Sequence, residues 1–269
     1  MYPLSKLKFE TTTLHFSLRW VQGYRYLDRC GEALCRIEKS LDDGWIVGEA
    51  TPKAGTIKNF KLGMVAQFNS EYMSLTQREF ISIDHFVNES SSLTAILAST
   101  FGIEGARIPT VRITIQHGCD TNEEVDDIAR QMELATPRKD LLDVMQGNLK
   151  AANLVFITGD RRQWEGASIL QRRRIEVRGI RQERQPDFDS RIVQRGVLLG
   201  LREREAMKVL RRLRETHTGV KPAALEVETE QSFEEPEFPT GRFPTHRFLF
   251  DAFGWSENVR TYLQSFESK

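Results

Sequence analysis

Five histidines, three cysteines and a dense run of arginines are the residues of this chain with the most obvious chemistry. His15, His85, His117, His217 and His246 are scattered, with no H-E-x-x-H, H-x-H or Cys/His spacing to hold zinc. Cys30, Cys35 and Cys119 are an odd set that builds neither a disulfide framework nor a paired metal knuckle. No glycine-rich phosphate loop of either common pattern appears. The expectation is no metal and no cofactor. His117-Gly118-Cys119-Asp120 is the one local cluster of reactive types. It is read as a strand end running into a helix cap, because catalytic partners usually meet in space and not in sequence.

Between Arg172 and Arg214 the chain carries 14 basic residues against six acidic ones. Arginine suits phosphate because its planar fork donates two hydrogen bonds at once. Strand alternation puts Arg172, Arg174 and Arg178 on one face, with Arg181 beyond them and Arg211 on a following helix. These five are the candidate nucleic-acid-binding residues. The competing expectation is a solvated face whose charges pair with Glu176, Glu183, Glu203, Glu205 or the glutamate-rich segment 226–237. Over the whole chain 38 basic residues balance 38 acidic ones, so net charge favours no polyanionic partner.

The elements that must position these groups follow from periodicity. Leu14, Phe16, Leu18 and Trp20 alternate with polar residues along a strand at 11–20. Leu27, Cys30, Leu34, Ile37 and Leu41 form a helical stripe. Strands are expected at 45–50, 57–68 and 72–83, then a helix capped by Asp84 and carrying Phe86, Leu93, Ile96, Leu97 and Phe101. Val111, Ile113 and Ile115 mark a central strand within 106–120. Thr121 and Glu124 make a capping-box pattern before Val125, Ile128 and Met132, and Pro137 interrupts that helix. A short second piece over 140–146, strands at 154–157, 172–180 and 191–199, and a helix at 201–215 complete the set.

The order strand, helix, three strands, helix thus occurs twice. It points to an α+β fold of two similar units, 1–105 and 106–218, by internal duplication, with coincidental agreement as the alternative. Residues 219–244 hold four prolines, two glycines and six glutamates and read as an acidic linker. Segment 245–269 reads as a helical tail that docks through Phe248, Phe253, Trp255, Val259, Tyr262, Leu263 and Phe266. Gly254 is expected to kink or split it, and Ser256 to cap its second part. No apolar run approaches a membrane span or a signal peptide, so a soluble cytoplasmic protein is expected.

His15-Phe16-Ser17-Leu18 resembles the His-apolar-Ser/Thr-apolar motif of the two-histidine phosphoesterases. In that family two such strands supply a general acid, a general base and phosphate-binding hydroxyls. The second motif would fall on Arg112-Ile113-Thr114-Ile115, where arginine stands in place of histidine. Repeated units of this kind also resemble those of RNA-handling proteins, including CRISPR repeat-processing endonucleases, although their glycine-rich loop is not visible. The leading expectation is a non-catalytic binding or assembly protein. It would contact a protein partner, a second copy or nucleic acid through the arginine-rich surface. A degenerate phosphoesterase using His15 is the alternative.

Overall fold

The computed structural model describes residues 3–20, 23, 25–41, 44–132, 153–164, 166–180, 183–184, 220–221, 223–235, 238–239 and 243–265. Alternation of apolar and polar residues places Leu14, Phe16, Leu18 and Trp20 on one side of strand β1 (Glu10–Trp20), and all four are buried. The following elements are α1 (Tyr26–Ser40), β2 (Trp45–Ala50), β3 (Gly55–Asn59), β4 (Met64–Phe68), β5 (Tyr72–Gln77) and α2 (Ile83–Phe101). Then come β6 (Gly105–Cys119), α3 (Asn122–Gln131), β7 (Asn153–Trp164), β8 (Ala167–Ile180), β9 (Glu183–Arg184) and β10 (Val220–Lys221). The last are β11 (Ala223–Glu235), β12 (Phe238–Pro239) and α4 (Thr245–Gln264). The fold is mixed α+β.

The main sheet has the order β2-β3-β4-β5-β1-β6-β11-β8-β7, with β12 also paired to β6. β9 and β10 form a separate antiparallel pair. Two compact units alternate along the chain. The smaller comprises Met1–Leu4, His117–Asn153 and Arg178–Glu226; the larger comprises Ser5–Gln116, Leu154–Val177 and Val227–Lys269. In the smaller unit Val125 and Ile128 of α3 are buried, and the Thr121 side chain accepts from the Glu124 amide at 3.2 Å as the helix cap.

In the larger unit one face of the sheet is covered by helices. Phe16 and Leu18, Met73 and Leu75, and Val111 and Ile113 meet Tyr26 and Ile37 of α1, Phe86 and Leu97 of α2, and Phe248 and Ala252 of α4 in one buried cluster. Tyr26 packs edge-on against Phe68 and Phe101, and its hydroxyl donates to the Thr51 carbonyl at 2.6 Å. The opposite face carries the alternate residues of the same strands, and these are polar.

Several expectations are corrected. Residues 57–68 are two strands, β3 and β4, because the Asn59 carboxamide oxygen accepts from the amides of Lys61 and Leu62 and turns the chain. Gly63 takes a φ of +60° in that turn, a conformation costly for any residue with a Cβ. Four strands, not three, therefore separate α1 from α2. β5 stops at Gln77, and Ser82, not Asp84, caps α2 by accepting from the His85 amide at 3.1 Å. Leu27 is 66% exposed; the buried side of α1 is Tyr26, Ala33, Leu34 and Ile37.

The second half differs more. The expected strands at 154–157 and 172–180 are parts of the longer β7 and β8. Residues 223–235, expected within an acidic linker, are strand β11, seated between β6 and β8. Its buried residues include Thr229 and Gln231 as well as Leu225, Val227 and Phe233, so polar groups dilute the apolar alternation. α4 runs unbroken through Gly254, and Ser256 lies buried inside it. The pieces expected at 140–146, 191–199 and 201–215, with Pro137, lie outside the described residues. The expected repeat of strand, helix, three strands, helix is accordingly not shown: the first half runs strand, helix, four strands, helix, and the second half is described only in part. Among the described residues no helix is long and apolar enough to cross a membrane.

Candidate functional site

The polar face of the larger unit brings together residues that the sequence separates by more than 200 positions. β1 lies between β5 and β6 with His15 opposite Thr76 on one side and Arg112 on the other. The Thr76 hydroxyl lies 2.8 Å from His15 Nδ1. Arg112 Nε donates in turn to Glu230 Oε2 of β11 at 2.5 Å. A row of Thr76, His15, Arg112 and Glu230 therefore crosses four strands. Ser17 opposes Ser74 and Thr110 in the neighbouring row, and Thr13 opposes Thr114.

His15 is half-buried, and its pKa lies below the ordinary 6.5. Burial disfavours the imidazolium most, the Arg112 guanidinium adds to this, and Glu230 opposes both. The ring is therefore biased to the neutral form. The motif residues His15 and Ser17, and Arg112 and Thr114, share one sheet face because β1 and β6 are adjacent strands. They do not face each other across a gap.

The arginines of β8 continue the pattern. Arg172 Nη1 lies 3.3 Å from Glu234 Oε1, and Arg174 pairs with Glu176 and, at 3.5 Å, with Glu228. Glu176 is 5% exposed, so Arg174 holds a carboxylate that water hardly reaches. In the smaller unit Arg178 lies 3.5 Å from Glu226. Every second residue of β11 is a glutamate from 226 to 230, and 234 resumes the series, so β11 supplies the countercharge to both its neighbours. The expected stripe Arg172, Arg174, Arg178 is thus matched by carboxylates. Arg181 and Arg211 lie outside the described residues.

His117 and Cys119, in the smaller unit, are both buried. The Cys119 thiol is pushed up to about 11, mainly by burial, which is the opposite of what a nucleophilic thiolate needs. Among the described residues no group of His, Cys, Asp or Glu is arranged to hold a metal ion.

One cluster escaped the sequence reading. On the helix side of the larger unit, Asp251 of α4 accepts from Arg162 and from Gln231, both at 2.8 Å, with Arg173 at 3.7 Å. Arg162 and Arg247 lie 5.0 and 4.9 Å from the Trp164 ring, and Arg173 lies 4.9 Å from that of Trp255. The signal was present as Arg247, Asp251 and Trp255, spaced by four along one helix face. These contacts tie α4 to β7 and β8. Compared with known proteins, the chain matches no family model and no curated sequence.

Proposed function

We propose that this chain is a non-catalytic binding protein that holds a protein partner on the polar face of its larger unit. The observation that carries the reading is the ladder in which Arg112, Arg172 and Arg174 each meet a glutamate of β11. A bare arginine stripe attracts any polyanion, whereas alternating charge has little far field and favours a partner with the matching alternation. An ion pair open to water on both sides, as Arg172–Glu234 is with side chains 42% and 38% exposed, contributes only about 0–1 kcal/mol, so a partner can trade it for intermolecular pairs at small cost. Arg112, 49% exposed beside a Glu230 that is 15% exposed, can reach a partner while keeping that carboxylate.

The test is affinity capture with the wild-type chain and with the double variant Arg112→Glu/Arg172→Glu, alongside titration of labelled oligonucleotides at low salt. The expected result is a protein retained by the wild type and lost by the variant, with Tm changed by a few degrees at most and no oligonucleotide bound. Identical capture by both chains overturns the reading. Salt-sensitive oligonucleotide binding that the variant loses, with a salt slope falling by about 0.7–0.9 per contact, replaces the protein partner with nucleic acid.

A second reading is a degenerate phosphoesterase, favoured by the direct opposition of His15 and Arg112 with Ser17 and Thr114 on the same face. A neutral His15 would serve as base and Arg112 as the group that meets phosphate charge. It requires turnover of a cyclic phosphodiester that His15→Ala abolishes; unchanged turnover in that variant, or none in the wild type, removes it.

A further inference from the structure

We propose that the outer edge of β7 is a self-association site, where a second copy of this chain adds its own β7 antiparallel to the first about a twofold axis at Phe156. This interface is separate from the polar face and does not depend on that reading. β7 ends the main sheet, and among the described residues nothing pairs with its outer side. The open backbone groups of such an edge are a template for another strand.

The two ends of the sheet are not alike. At the far end β2 has six residues, and its register with β3 shifts between Val47 and Glu49, an irregularity that blunts an edge. β7 has 12 residues and carries three consecutive exposed apolar side chains, Val155, Phe156 and Ile157, against the two, Ile46 and Val47, of the shorter β2. Consecutive strand residues point to opposite sides of a sheet. A ligand lying on one side would leave the other wet, whereas a strand laid alongside covers both.

Self-complementarity identifies the occupant as a second copy. With the twofold axis at Phe156, the two Phe156 side chains meet, Val155 opposes the second copy's Ile157, and Leu154 opposes the second copy's Thr158. Sliding the axis to Thr158 sets Phe156 against Asp160 and Val155 against Arg161, putting charge on apolar groups. The apolar run is matched only near its own centre. Such a short pairing buries less than the roughly 1,000 Å² typical of a stable interface, so the dimer is weak and reversible.

The test is sedimentation of the full chain over a concentration series to about 200 μM, with Phe156→Lys as the comparison. The wild-type mean mass should rise towards twice the monomer, and Phe156→Lys should remain monomeric with an unchanged circular dichroism spectrum. In a Cys30→Ser/Cys35→Ser background, Phe156→Cys should cross-link to its own copy under a mild oxidant, because directly opposed strand residues lie within disulfide reach. Asp160→Cys should not, since eight residue steps separate the two copies by roughly 26 Å. A wild type that stays monomeric throughout, a dimer that Phe156→Lys leaves intact, or equal cross-linking of both cysteine variants overturns the proposal. Capture through Arg112 and Arg172 should survive Phe156→Lys, so failure of one interface is not failure of the other.

Discussion

His15 is the residue whose surroundings matter most to its chemistry. Its ring is half-buried beside a guanidinium, so protonation is disfavoured in the folded chain relative to the unfolded one. Because the folded pKa is the lower, the unfolded state binds the extra proton first as pH falls. His15 therefore adds stability above about pH 6.5 that is lost as pH drops through its folded pKa. Urea unfolding at pH 7.5 and 5.5 should show a smaller pH-dependent loss in His15→Gln than in the wild type. An equal loss in both chains would remove His15 from the acid sensitivity. The arginines divide by burial in the same way. Arg174→Met removes one partner of the buried Glu176 carboxylate and should cost about 1–3 kcal/mol. Arg172→Met breaks a pair open to water on both sides and should cost less than about 1 kcal/mol in the same urea titration.

At the scale of elements, α4 and β11 depend on one another. Phe233 of β11 lies 4.7 Å from Phe248 of α4 in an edge-to-face arrangement, and Phe16 and Phe243 complete that aromatic group. The Thr229 hydroxyl lies 3.0 Å from the Ser256 hydroxyl and 3.3 Å from the Ile113 carbonyl, so a buried polar pair is satisfied where helix meets strand. Gly254 takes no part in this contact. It is exposed, and a Cβ added there meets nothing within 4 Å. Gly254→Ala should therefore stabilise the chain by about 0.5–1 kcal/mol through helix propensity alone, raising the thermal midpoint. A lowered midpoint would show that the glycine is needed for a bend in α4.

At the scale of the molecule, charge balance and sheet architecture act together. The 38 basic and 38 acidic residues are not merely equal in number, for in the described sheet the arginines of β6 and β8 flank the glutamates of β11. A neutral chain with an ordered charge pattern recognises by local matching, not by long-range attraction. Its main sheet ends in a six-residue strand with a register shift on one side and a 12-residue strand on the other, and the longer one is the place where a further strand can be added.

The sequence alone determined what depends on near neighbours. Period-two apolar spacing located β1 and β6, period-three-and-four spacing located α1, α2 and α3, and the Thr121–Glu124 pattern marked a helix start that the structure retains. Local rules failed where a tertiary contact outweighed them. α2 passes through Ser90, Ser91 and Ser92, whose propensity argues against it, because Phe86, Leu93 and Leu97 are buried in the core, and the buried Ser90 hydroxyl donates to the Phe86 carbonyl at 2.7 Å. β11 was hidden because glutamate and proline content resembles a linker. The sheet order brings the arginines of β6 and β8 beside its glutamates, while the alternate residues Leu225, Val227 and Phe233 are buried. Likewise, arginine density announced a basic surface, but whether those charges stood alone was decided by which strand lay beside them. Side-chain type and spacing are written in the chain, whereas the identity of a cross-strand neighbour 61 or 118 residues away is fixed only when the sheet closes.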